Sequence, residues 1–332
     1  MTARSAPEAR SYNAMFRGRR ALVLGATGFI GRRVVRALAG ADAVVTASGR
    51  DIAGLNALRT AYGVRAIPCD LARDADLREL VFSARPEVTF NLTGYGVSRA
   101  EHDPDVAQLI NTELPQRLVR GLTMLETDTW PGQRLIHAGS ALEYGDVGGS
   151  LAEDGPAEPA TLYGRTKLAG TRALAAESRA TGLSAVTARL FTVYGPGERS
   201  GRLLPTLIQS ARSGAAVQLT AGNQRRDFVY VDDTAEALMR LAACRDVHHD
   251  TVNVATGVLI TVREFVERAA SVLGLVPAQL LFGRVATRSD EITHDPVSNA
   301  RLRETTGWTP TVSIELGVQR TIDDAQRLAI SR

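Results

Sequence analysis

From Arg20 onward the chain alternates short apolar runs with stretches whose apolar residues recur at helical spacing. Ala21 to Leu24, Ala43 to Ala47, Val64 to Pro68, Val88 to Leu92, Arg134 to Ala138 and Ser184 to Leu190 read as six strands. Val34, Val35 and Leu38 mark the buried side of the helix that follows the first of them. Strands joined by helices are parallel, because a parallel pair needs a crossover, so the rhythm predicts an α/β fold with a doubly wound parallel sheet. After Pro196 the pattern changes. Arg199 to Asp233 is rich in Gly, Arg and polar residues, and then come a strand (Thr251 to Val254), a helix (Val262 to Leu273), Gly307-Trp308-Thr309-Pro310 and a final helix. The predicted organisation is a leader over 1–19, a large α/β domain over 20–195, and a smaller α/β lobe formed mainly by 196–332. The chain crosses between the lobes more than once, and the smaller one lies over the sheet edge where a substrate can be trapped.

Composition refines this picture. Aromatics are only 5% of the residues, which suits a helix-covered parallel sheet better than an aromatic-rich sandwich. No apolar run reaches the roughly 18 residues of a bilayer span, so a soluble, cytoplasmic protein is expected. The formal charge of +3 is misleading. Residues 1 to 20 hold five arginines against one acid, Glu8, a net of +4 that leaves the rest of the chain at −1. A nucleic-acid partner is therefore disfavoured, and the leader reads as a disordered basic segment. Cys69 and Cys244 stand far apart with no CxxC partner, as in a reducing compartment. The five histidines show no metal-ligand spacing, and no metal is expected.

The first strand runs into Gly25-Ala-Thr27-Gly28-Phe29-Ile30-Gly31, which opens a helix. Glycines there let the backbone turn tightly and approach a diphosphate that the helix N-terminus stabilises, the fingerprint of a dinucleotide cofactor. These residues make 20–195 a candidate dinucleotide-binding domain. An acid at the end of the second strand would bond a ribose 2′-OH. That strand instead ends Ser48-Gly49-Arg50. Arg50, with Arg32, is a candidate for a 2′-phosphate, so NADP(H) is preferred and NAD(H) is the alternative. Asp70 and Leu71, after the third strand, are candidates for the adenine edge; a turn aspartate is the competing reading of Asp70.

Tyr163 and Lys167 stand four residues apart, on one face of a helix. An ammonium there favours the phenolate, so Tyr163 is the candidate proton donor or acceptor and Lys167 its partner; the pair is also a candidate cofactor contact, with Lys167 able to hold the nicotinamide ribose. Ser140, at the end of the fifth strand, points into the crevice and can hold the reacting oxygen.

Together these motifs resemble the extended short-chain dehydrogenase/reductase family, which has a Rossmann-type fold. The resemblance extends to Asn111, Arg189-Leu-Phe-Thr-Val-Tyr-Gly-Pro196-Gly, Arg226-Asp-Phe-Val-Tyr-Val-Asp-Asp233, Asn253 and Gly307-Trp308-x-Pro310. It implies a nucleotide-diphosphate sugar as substrate, hydride exchange at a sugar carbon and a homodimer. By the same resemblance Arg226 and Arg288 bind the diphosphate, an interlobe ion pair being the alternative for either. Thr192 stands where the family often has a substrate-contacting Asn.

The 4,6-dehydratases of this family carry an Asp-Glu pair where this chain has Ala141 and Leu142, which cannot transfer protons. Glu143 comes one position too late. Ser140-x-x-Glu-Tyr-Gly145 resembles 4-keto-6-deoxysugar reductases, while Ser-Ala-x-x-Tyr-Gly is also similar to 4-epimerases. The missing acid and Arg50 favour an NADPH-dependent 4-ketoreductase of deoxysugar biosynthesis, with NAD-dependent epimerase as the alternative. A non-catalytic NADP(H) sensor is disfavoured because Tyr163 and Lys167 are both present.

Overall fold

The computed structural model describes residues 9–97, 100–125, 130–147, 150–287 and 296–330. Helix α1 (Ala9–Ala14) precedes β1 (Arg20–Leu24), α2 (Phe29–Gly40), β2 (Val44–Gly49), α3 (Ile52–Tyr62) and β3 (Arg65–Pro68). There follow α4 (Asp74–Ala84), β4 (Val88–Asn91), the short α5 (Pro104–Ala107), a π-helical turn (Gln108–Glu113) and α6 (Leu114–Thr123). Then come β5 (Leu135–Ser140), α7 (Leu162–Thr181), β6 (Ala185–Leu190) and β7 (Thr192–Tyr194). The stretch after Pro196, which offers little periodic signal, folds into α8 (Leu203–Ser213), β8 (Val217–Gln218) and β9 (Arg225–Tyr230). The chain continues through α9 (Val231–Ala243), β10 (Thr251–Val254), β11 (Leu259–Thr261), α10 (Val262–Leu273), β12 (Leu280–Leu281), α11 (Ala300–Thr306) and α12 (Ile314–Ile330).

Seven strands form the main sheet in the order β10-β6-β5-β4-β1-β2-β3, every neighbouring pair parallel. Side chains alternate between its two faces. Ala21 and Val23 pack with Val34, Val35 and Leu38 of α2 and with α9, whereas Leu22 and Leu24 pack with Leu77 and Leu80 of α4 and Leu118 of α6. Each fully buried Val or Leu side chain among them contributes on the order of 1.5–3 kcal/mol. Strand order reverses between β1 and β4, where ligands of open α/β sheets bind.

The smaller lobe has its own core around Leu204, Leu207, Phe228, Phe265 and Val318, with the Phe228 and Phe265 rings stacked at 4.1 Å. A three-stranded sheet, β11-β9-β7, joins it to the crevice. Residues beyond 196 also return to the main sheet: α9, β10 and α11 pack there, and Trp308 closes the same core.

One expectation is corrected. The leader does not stay disordered up to residue 19. Phe16 is fully buried with its ring centroid 5.1 Å from that of Trp130, and the Arg240 guanidinium lies 4.8 Å above Tyr12. Two aromatic anchors among the arginines hold the segment, Tyr12 against Arg240 of α9 and Phe16 against Trp130, and burial of a ring outweighs the solvation that the charges favour. Among the described residues, no helix is long and apolar enough to cross a membrane.

Candidate functional site

Between β1 and α2 the backbone turns through Gly25 at φ +71°, against the Leu92 carbonyl that ends the β4 ladder. A Cβ on Gly31 would stand 2.1 Å from the Gly25 oxygen, so only glycine allows α2 to start this close to β1. The first-turn amides of Phe29, Ile30 and Gly31 have no carbonyl ahead of them, and Gly28 caps them with no side chain. Thr27 gives its carbonyl to Arg32 Nε at 2.7 Å. This bare helix start at the sheet's switch point fits a dinucleotide diphosphate.

At the end of β2, Ser48 is buried and Arg50 is exposed, with no hydrogen bond or ion pair among the described residues. The nearest acid, Asp51, caps α3 by accepting from the Gly54 amide at 2.9 Å and faces Arg32 at 4.0 Å. Asp70 closes a turn by accepting from the Ala72 amide at 3.2 Å, with the side chain exposed. Leu71 is buried and gives its carbonyl to Arg117 at 3.2 Å.

Ser140 ends β5, and its hydroxyl accepts from the Leu142 amide at 3.2 Å while also bonding the Tyr163 phenol. Helix α7 presents Tyr163 because Thr161 caps it, accepting from the Gly164 amide at 3.0 Å. Asn111, in the π-turn, locks α7 to the loop after β4. Its Nδ2 donates to the Tyr95 carbonyl at 2.7 Å and the Thr166 hydroxyl at 2.9 Å, and its Oδ1 accepts from the Tyr95 amide at 3.0 Å. A π-turn at such a junction commonly marks a functional site.

The electrostatics differ from expectation. Burial pushes the Tyr163 phenol well above its ordinary range, and Glu143 and Glu101 add to this, while the Ser140 hydrogen bond and Arg202 oppose it. Lys167 does not bond the phenol; its fully sequestered Nζ lies 3.3 Å from His137 Nε2, inside the sheet. Burial lowers the Lys167 ammonium to about 8, with Glu143 resisting. Burial also depresses the imidazole of His137, helped by the charge of Lys167.

Glu143 is turned away from the crevice. Its carboxylate accepts from the Ser140 amide at 2.8 Å, the Thr171 hydroxyl at 3.0 Å and Arg189 Nε at 2.9 Å. It therefore props Ser140 from below. Thr192 begins β7 opposite Phe228, and Arg226 is half-buried on β9, so both lie in the sheet that joins the lobe to the crevice. Arg288 lies outside the described residues.

Sequence reasoning missed His137, Glu101, Arg202 and Glu198. His137 had a signal: a histidine in an apolar strand, three residues before Ser140. Glu101 and Arg202 sit in segments without periodicity and reach Tyr163 only through the fold. Glu198 faces Arg202 at 3.5 Å, and burial raises its carboxyl to about 7.

The profile of the NAD dependent epimerase/dehydratase family matches residues 21–255. A dTDP-6-deoxy-L-talose 4-dehydrogenase (NAD(P)(+)) of Kitasatospora kifunensis is 31% identical over 306 residues, 88% of this chain and 91% of the relative. A UDP-glucose 4-epimerase of Mycolicibacterium smegmatis is 28% identical, covering 92% of this chain and 97% of its own. Among solved structures, MoeE5 in complex with UDP-glucuronic acid and NAD superposes with a TM-score of 0.80 at 28% identity, over 93% of this chain and 99% of MoeE5. With its glycine turn, its seven-stranded parallel sheet and these similarities over most of its length, the chain belongs to the NAD dependent epimerase/dehydratase family.

Proposed function

We propose that the protein reduces the C4 ketone of a nucleotide-linked 4-keto-6-deoxyhexose with NADPH. The observation that carries this reading is the end of β2. Asp51 is engaged in capping α3, which leaves the exposed guanidinium of Arg50, with no partner among the described residues, as the group beside the ribose edge. A guanidinium suits a 2′-phosphate, and a carboxylate would repel it. The Kitasatospora relative, whose name specifies NAD(P)(+) and C4 chemistry, supports the same reading.

The Gly25–Gly31 turn and Arg50 would hold NADPH, which would supply the hydride. Tyr163 donates the phenolic proton to the C4 oxygen while Ser140 hydrogen-bonds that oxygen. The burial that keeps Tyr163 protonated suits a donor rather than an acceptor. Glu143 and its partners keep the Ser140 end of β5 in place. Arg226, on β9, and Arg288 are the proposed contacts for the sugar diphosphate, with Thr192 beside the sugar. Elimination of water is disfavoured, because Ala141 and Leu142 offer no proton and Glu143 is tied to Arg189.

A second reading, 4-epimerase with retained NAD, is favoured by the Mycolicibacterium relative and by MoeE5 with its bound NAD. The nicotinamide content of the purified protein separates the two. Empty protein that binds NADPH much more tightly than NADH, with the preference lost in Arg50→Glu, supports the reductase. Stoichiometric NAD released on denaturation sinks it in favour of the epimerase.

A further inference from the structure

Of the 39 lysines and arginines in the sequence, Lys167 is the only lysine. Arginine cannot be deprotonated in a protein, whereas a buried lysine gives up its proton readily. Among its lysine and arginine side chains the chain thus keeps one cation able to lose its charge, and the groups around that amine bear on its charge.

Nζ of Lys167 reaches the middle of β5, 3.3 Å from His137 Nε2. The other ring nitrogen, Nδ1, lies 3.0 Å from Asn91 Nδ2 at the end of β4. Asn91 cannot turn freely. Its Oδ1 accepts from the Thr93 hydroxyl at 2.5 Å and the Thr93 backbone amide at 3.3 Å, and a backbone amide can only donate. The oxygen faces Thr93, so the NH2 faces the ring.

A neutral imidazole has one N–H and one lone pair. Burial and the charge of Lys167 keep His137 neutral. Nδ1 then accepts from Asn91, and the single ring N–H sits on Nε2, pointing at the Lys167 amine. That N–H meets an amine lone pair favourably and an ammonium unfavourably. Of the charged groups, Glu143, on the turn after β5, acts on Lys167 and favours the ammonium. Tyr163 lies one turn earlier on α7.

We propose that Asn91 and His137 are a positioning pair that holds Lys167 as a titratable amine rather than a fixed cation. The positive charge near Tyr163 then comes and goes with pH, and its loss sets the basic limb of turnover. This role rests on Tyr163 and Lys167 being the proton-transfer pair proposed above.

The single lysine makes the test direct. The untagged full chain, labelled with 13C and 15N lysine, shows one lysine side-chain resonance, expected to titrate near 8. Labelling with 15N histidine should show His137 protonated on Nε2 and bare on Nδ1. Asn91→Asp replaces the NH2 with an acceptor, draws the ring proton to Nδ1 and turns a lone pair toward Lys167. The lysine midpoint should rise by about one unit or more. His137→Gln, whose amide oxygen can turn to the ammonium, should raise it too. An Nδ1-protonated ring in the wild type, or an unmoved midpoint in either variant that folds by circular dichroism, overturns the proposal. Neither readout requires turnover. Failure of the reductase reading would appear separately, as absent ketone reduction with these spectra unchanged.

Discussion

Replacing Glu143 by glutamine tests whether the ion pair beneath Ser140 supports the whole site. Glu143 has no exposed surface and Arg189 keeps only 4% of its own. At 2.9 Å and an effective dielectric of about 20, their attraction is about 6 kcal/mol, most of which offsets the removal of both charges from water. Glu143→Gln leaves the guanidinium buried without its counter-charge, a change that typically costs about 3–5 kcal/mol. The amide oxygen can still accept from the Ser140 N–H, so the turn after β5 survives and the loss reports on charge. Urea unfolding at pH 7 should show a destabilisation of about 3 kcal/mol or more, and Arg189→Met added on top should recover about 1–3 kcal/mol. Because Glu143 raises the pKa of both Tyr163 and Lys167, its neutralisation should also move the basic limb of kcat to lower pH. A loss below about 1 kcal/mol, or a double variant no more stable than the single one, would refute the reasoning.

Tyr163→Phe should cut turnover by roughly two to four orders of magnitude while cofactor titration shows unchanged affinity; near-native turnover would remove the phenol from the proposed chemistry. Phe16→Ala should cost about 3–5 kcal/mol in chemical denaturation, whereas a free leader predicts no change. Gly31→Ala drives a methyl into the Gly25 carbonyl, so cofactor affinity should fall at least about tenfold by fluorescence titration. Lys167 binds its proton in the fold only below about 8, against 10.5 ordinarily, so between these values the unfolded chain holds the extra proton and stability rises with pH. Below about 8 the buried ammonium costs about 3 kcal/mol, so Lys167→Met should raise the melting temperature at pH 7, with the gain fading toward pH 10.5.

The six leading strands were legible because strands covered on both faces read as continuous apolar runs, and β1 to β6 lie within a few residues of the predicted runs. The small lobe was not, since its elements find their apolar partners across distant segments: Leu204 and Leu207 of α8 meet Phe265 of α10. The spacing of Tyr163 and Lys167, with their place between two strands after the strand-end Ser140, singled out these three as candidates. It could not show that the Lys167 amine turns inward to His137, because the register of β5 beside β4 and the placement of α7 decide that contact. The leader was misread because its arginines dominate composition, while the anchoring is done by Tyr12 and Phe16.

The pairing of β10 with β6 has a consequence for how the chain must fold. During synthesis the outer edge of β6 emerges long before Thr251–Val254, and its unpaired backbone is meanwhile a template for strands of other chains. Asn253 completes that joint by accepting from the Tyr144 hydroxyl at 2.7 Å and donating to the Leu151 carbonyl at 2.9 Å. A fragment ending at residue 195 therefore lacks a strand of its own sheet, and no contiguous piece of this chain can be cut out and expected to fold as the cofactor domain alone.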